Sequence, residues 1–144
     1  MTTIAFDGNT IAADKQMNFC DTPVATSKLV KMTYNGKRAV AAGSGEVVQY
    51  TPIIEWLKNK RKAQPVLDAT ANFGVIVVTE DKVAYVYASA LTPVAIKGRP
   101  WAIGTGADYA LGAMAFGATA EQAVQIASEL DVNTGLGIDV EGFN

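Results

Sequence analysis

The 144-residue chain contains no histidine and a single cysteine, Cys20. Without histidine, Ser-His-Asp and Cys-His catalysis are excluded, and a zinc cluster lacks its usual ligand set. One cysteine forms no internal disulfide, and Cys20, with no activating partner in view, is expected to be a small buried hydrophobe. Long apolar runs are missing too. Val75-Ile76-Val77-Val78 and the stretch 83–88 fall far short of the roughly 20 residues that a membrane-spanning helix needs. No charged segment followed by an apolar core opens the chain. Excess positive charge is absent: the formal net charge is −2, which gives no electrostatic case for nucleic acid. The one basic stretch, Lys58-Asn59-Lys60-Arg61-Lys62, is expected to be a solvated helix end whose cations offset the macrodipole. These absences predict a soluble, non-exported protein with no metal, no cofactor, and no nucleic-acid or membrane partner.

Hydrophobic residues make up 49% of the chain and charged residues 18%, a globular balance, and the length suits a single domain over residues 1–144. Two short strands are expected around Asp7-Gly8-Asn9, within residues 3–13. A second pair, 28–32 and 38–42, flanks Tyr34-Asn35-Gly36-Lys37. After Gly43-Ser44-Gly45, helical spacing of Val47, Val48, Tyr50, Ile53, Ile54 and Leu57 predicts a helix over 46–62, with Pro52 a candidate for its true start. A connector holding Pro65 leads to a hairpin of 72–79 and 82–88, then to short strands at 94–96 and 101–103. Small and apolar residues predict a helix over 106–117, and Thr119 with Gln122 forms a capping box opening another that ends near Leu130. The Gly-rich residues 131–138 close that helix, and the tail from Asp139 is left unassigned. Runs of strands separated from runs of helices favour an α+β layering, with two antiparallel sheets packed face to face and helices outside.

The chemistry is concentrated at the start. Removal of Met1 would make Thr2 the first residue, which then carries a hydroxyl nucleophile and an amine base together. Thr2-Thr3-Ile4, Ala13-Asp14, Lys28 ahead of the Asn35-Gly36 turn, Ala42-Gly43-Ser44-Gly45 and Ile103-Gly104-Thr105-Gly106, in that order, resemble the proteasome β-subunit and HslV-like family of N-terminal nucleophile (Ntn) hydrolases. The resemblance covers most of the chain. It implies an αββα sandwich, assembly into homo-oligomeric rings around an enclosed chamber, and hydrolysis of peptide or unfolded-protein substrates by a threonine-type peptidase in the cytoplasm, with an unfoldase or larger assembly as partner.

By the same resemblance, Thr2 matches the nucleophile, and Lys28 the lysine that lowers its proton affinity. Asp14 matches the carboxylate fixing that lysine, and Gly43 the oxyanion donor. Thr105 stands where the family usually has serine, and Asp131 with Thr134 resemble a late acidic and hydroxyl pair supporting the site. Elementary electrostatics agrees, since a cation beside an amine disfavours its protonated form. Thr105-Gly106 before a helix could alternatively bind an anion.

The chain is shorter than its bacterial relatives, with the loss falling between Lys62 and Asn72, so one helix is expected to be missing and one sheet face to carry a single helix. Retention of Met1 would leave the Thr2 nitrogen an amide without useful basicity. The alternative reading is then a catalytically idle structural or assembly component of a larger particle, virion-associated if viral.

Overall fold

The computed structural model describes residues 2–62, 64–68 and 70–143. Eleven strands and three helices are assigned among them. The first sheet pairs β1 (Thr3–Phe6) with β10 (Trp101–Gly104) on one side and β2 (Thr10–Asp14) on the other, and β11 (Ile138–Gly142) closes it against β2. The second is a meander of β5 (Val30–Tyr34), β6 (Lys37–Gly45), β7 (Phe73–Thr79), β8 (Ala84–Ala88) and β9 (Val94–Ile96). Every pairing is antiparallel.

Period-2 alternation explains why both sheets are covered on both faces. Ile4, Phe6, Ile11 and Ala13 of the first sheet meet Val40, Ala42, Ile76 and Val78 of the second in the central core. The intervening Ala5, Ala12 and Ala102 point outward, where small side chains let α2 (Ala107–Ala115) and α3 (Ala120–Leu130) approach closely through Ala110, Met114, Ala123 and Val124. On the far side, Ala39, Ala41, Val75 and Val77 pack on Ile53, Ile54 and Leu57 of α1 (Val47–Lys58). The layers are therefore helix, sheet, sheet, helices. The second sheet carries one helix among the described residues, as expected.

The capping box at Thr119 is present in full, with Thr119 accepting from the Gln122 amide and the Gln122 side chain returning to the Thr119 amide. Some expectations change. The first helix ends at Lys58, not 62, and Pro52 lies inside it rather than at its start. The carbonyl that loses its partner to Pro52 is that of Val48, which is exposed and can be hydrated. Beyond Lys58, Lys60 and Arg61 turn into left-handed backbone, and the Arg61 guanidinium comes to lie 4.8 Å over the Tyr34 ring. Residues 58–62 are all exposed, with Lys58 in the last turn of the helix, so the basic stretch is the solvated helix end expected, and Arg61 in addition covers the Tyr34 ring.

A ribbon of β3 (Gln16–Phe19) and β4 (Thr22–Ala25) occupies a segment to which the sequence reading assigns no element. Cys20 sits at its tip, exposed and at φ 49°, so it is not a buried hydrophobe. The unassigned tail forms β11, an edge strand on β2.

Candidate active site at the head of the sandwich

β1 delivers Thr2 and Thr3 to one end of the central core, between the end of β2 that carries Asp14 and the β10–α2 turn. Thr2 is 2% exposed and Asp14 fully buried. An isolated carboxylate at such depth would be costly, and Asp14 is instead surrounded by donors. Its Oδ1 accepts from the Lys28 ammonium at 2.8 Å, from the Thr3 amide at 3.0 Å and from the Thr2 hydroxyl. Its Oδ2 accepts from the amides of Gln16 at 3.2 Å and Gly135 at 3.1 Å. Lys28 enters from the segment ahead of β5, its side chain only 6% exposed, and donates to the Thr2 hydroxyl as well. Burial pulls the Lys28 pKa below its ordinary value, partly offset by the hydrogen bond and charge of Asp14.

A second hydroxyl network adjoins the first. Asp131 accepts through Oδ2 from Thr105 at 2.6 Å and from Thr134 at 2.7 Å, and Thr134 shares a 2.8 Å hydroxyl contact with Thr3. Burial pushes the Asp131 carboxyl up, but the Thr105 and Thr134 hydroxyls and the Asn133 amide outweigh it and hold the pKa below the usual range. The Thr2 carbonyl receives the Gly106 amide at 3.3 Å and the Thr105 hydroxyl at 3.5 Å. The Gly106 amide at the start of α2, part of the Thr105-Gly106 stretch read in the sequence as a candidate anion site, is thus bonded to the Thr2 carbonyl.

An open cleft of about 720 Å³ runs above Thr2 and Lys28, with Gly43 on one wall. β5 pairs with β6 only as far as Val30 and Ala41, so β6 continues to Gly45 with that edge uncovered. All seven residues singled out in the sequence meet here: Thr2, Asp14 and Lys28 in direct contact, Thr105, Asp131 and Thr134 in the adjoining network, and Gly43 on the cleft wall. Met1, whose removal or retention decides the chemistry of the Thr2 nitrogen, lies outside the described residues.

Sequence reasoning overlooked Thr3, Gln16 and Gly135. Thr3 had a legible signal, a polar residue at a position buried by strand alternation. The other two act through backbone amides, which any residue type supplies.

No protein-family model and no curated protein sequence matches this chain. Solved structures do match. Eukaryotic HslV from Trypanosoma brucei superposes with a TM-score of 0.71 at 19% identity, covering 97% of each chain. The Thiobacillus denitrificans protein BPH gives 0.70 at 18%, covering 99% of this chain and 98% of its own. Anbu, the ancestral beta-subunit from Yersinia bercovieri, gives 0.73 at 12%, covering 97% and 80%. The fold is the proteasome-like Ntn sandwich. It carries one helix fewer than usual. At these identities the likeness speaks for the fold.

Proposed function

We propose that the protein is a threonine-type peptidase acting through Thr2 once Met1 has been removed. The observation that carries this reading is the contact set of Thr2, Lys28 and Asp14: a buried hydroxyl touched by a cation, the cation held by a fully buried carboxylate. The Thr2 hydroxyl attacks the peptide carbonyl, and its proton passes to the freed α-amine of the same residue. Lys28, kept charged by Asp14, disfavours a standing charge on that amine, so the amine stays available as a base near neutral pH. The Gly43 amide donates to the oxyanion. Collapse breaks the C–N bond, the leaving amine takes the proton, and an ester remains on Thr2 until water, activated by the same amine, hydrolyses it. The Gly106 amide steadies the Thr2 backbone through its carbonyl, and Asp131 holds the Thr105 and Thr134 hydroxyls beside it.

Two further parts of this reading extend what the sequence resemblance implies. The subunits assemble into a closed homo-oligomeric ring, and the protein works in the cytoplasm on unfolded polypeptide. Among the described residues no helix is long and apolar enough to cross a membrane. BPH has been solved in complex with epoxomicin, which makes that compound a probe for the Thr2 site here.

The test is turnover of fluorogenic peptides by the processed protein and by Thr2→Ala and Lys28→Ala. Each substitution should lower kcat/KM by at least ~10²-fold while circular dichroism stays native. Equal turnover by wild type and Thr2→Ala would sink the reading.

A further inference from the structure

We infer that Tyr50 is the residue that determines side-chain specificity at the scissile bond, by filling the space beside Gly43 and leaving a bounded apolar subsite. The inference rests on the peptidase reading and deepens it.

Gly45, at φ 95°, turns the chain from β6 into α1. A Cβ at Gly45 would come within 2.8 Å of the Asn72 carbonyl oxygen, so the turn depends on glycine. The turn brings Tyr50 back over Gly43, and a Cβ built on Gly43 would overlap the Cγ, Cδ1 and Cε1 edge of the Tyr50 ring. Gly43 is on the face of β6 that looks toward α1, in register with Ala39 and Ala41. The ring therefore occupies the volume a pocket beside Gly43 would otherwise have. Its remaining surface lines the cleft together with Thr2 and Lys28, and Met17 and Phe19 of the β3–β4 ribbon contribute to the same lining.

A carbonyl attacked by Thr2 and bonded to the Gly43 amide has its own Cα one bond away, so the side chain on the acyl side of the scissile bond must lie against Tyr50. The wall itself is the ring of Tyr50, and of the two charged residues that line the cleft Lys28 is already paired with Asp14 while Glu46 is exposed. An aliphatic side chain of leucine or methionine size fits such a wall. A carboxylate would lose its hydration without a partner and meet the like charge of Glu46, and a bulky indole meets the Tyr50 ring.

The experiment compares kcat/KM for peptides that differ only in the acyl-side residue, Leu, Trp, Asp or Lys, in wild type, Tyr50→Phe, Tyr50→Leu and Tyr50→Ala. Wild type and Tyr50→Phe should prefer Leu over Trp and Asp by at least about tenfold. Tyr50→Ala should raise the Trp-to-Leu ratio by about tenfold or more, and Tyr50→Leu should raise it by less. Both substrates meet the same folded molecules, so the ratio does not move when a variant merely folds poorly, and Tyr50→Leu serves if Tyr50→Ala does not fold. A Trp-to-Leu ratio within twofold of wild type in Tyr50→Leu and Tyr50→Ala would overturn the role of Tyr50 alone. No turnover of any peptide by wild type, with Thr2 unlabelled by epoxomicin, would overturn the peptidase reading and the role of Tyr50 with it.

Discussion

The Lys28 ammonium stands 2.8 Å from the carboxylate of Asp14, with both side chains out of water. Such a pair is costly to form and more costly to break, because removing one partner strands a buried charge. Asp14→Asn should therefore destabilise the protein by about 3–5 kcal/mol, read as a lower urea midpoint with an unchanged m-value. A midpoint within error of wild type would mean that Asp14 is hydrated and the pair has little structural role.

The same pair sets a pH limit on activity. Burial lowers the Lys28 pKa, with Asp14 opposing, so Lys28 should lose its charge below the pH at which a free lysine does. Turnover should fall on the alkaline side before pH 10.5, the ordinary lysine value, and Lys28→Arg should move that limb upward. Arginine stays protonated throughout. An alkaline limb indifferent to Lys28→Arg would assign it to another group.

Asp7 makes a separate link between sheet and helix. It accepts from the Asn9 and Thr10 amides and from the amide of Ala120, the first residue of α3. Burial works to raise its pKa, but the Thr10, Ala120 and Asn9 amides and the Thr10 hydroxyl prevail and hold it below 3.8. A folded pKa below the unfolded value means stability that is present above pH 3.8 and is lost as pH falls through the lower folded value. Asp7→Ala should cost about 1–2 kcal/mol at neutral pH and flatten this acid limb. A variant as acid-sensitive as wild type would show that other carboxylates dominate the limb.

The Tyr34 and Tyr87 hydroxyls meet at 2.6 Å beneath the second sheet's outer face, and burial, with Tyr34 adding to it, pushes the Tyr87 pKa well up. Tyr87→Phe leaves the Tyr34 hydroxyl with less to bond and should cost about 1–2 kcal/mol in denaturation. A neutral substitution would indicate that Arg61 takes over the bond.

The layered fold was legible because its signals are local. Asp7-Gly8-Asn9 and Asn35-Gly36 supply residues that accept left-handed backbone, with Gly8, Asn35 and Gly36 all at positive φ, and the Ile-Ala alternation of β1 and β2 marks strands buried on both faces. The β3–β4 ribbon was not legible. Its turn uses Cys20 and Asp21 at positive φ, where glycine or asparagine would have announced it, and β4 is exposed along its length, so no burial pattern is imposed on it. β11 does alternate, Ile138 and Val140 against Asp139 and Glu141, but its partner β2 lies more than a hundred residues earlier, a separation that local pattern cannot bridge. The site divides the same way. Side-chain members could be named from the resemblance that their motifs carry, whereas the amides of Gln16 and Gly135 that hold Asp14 belong to the fold.

The proposed assembly would use exposed apolar residues on both helix layers. Val48 on α1 and Phe116 just past the end of α2 are 77% and 96% exposed. Sedimentation should give a species several times the 15.1 kDa of one chain, and Phe116→Asp together with Val48→Asp should shift it toward monomer. A monodisperse monomer at micromolar concentration would contradict ring formation.

Intact-mass spectrometry of the protein expressed in a cell and treated with a threonine-directed electrophile tests the central claim most directly. The account predicts a polypeptide beginning at Thr2 that gains one adduct per chain, with none gained by Thr2→Ala. A chain that keeps Met1 and stays unlabelled while fully folded would contradict it and leave the structural reading in its place.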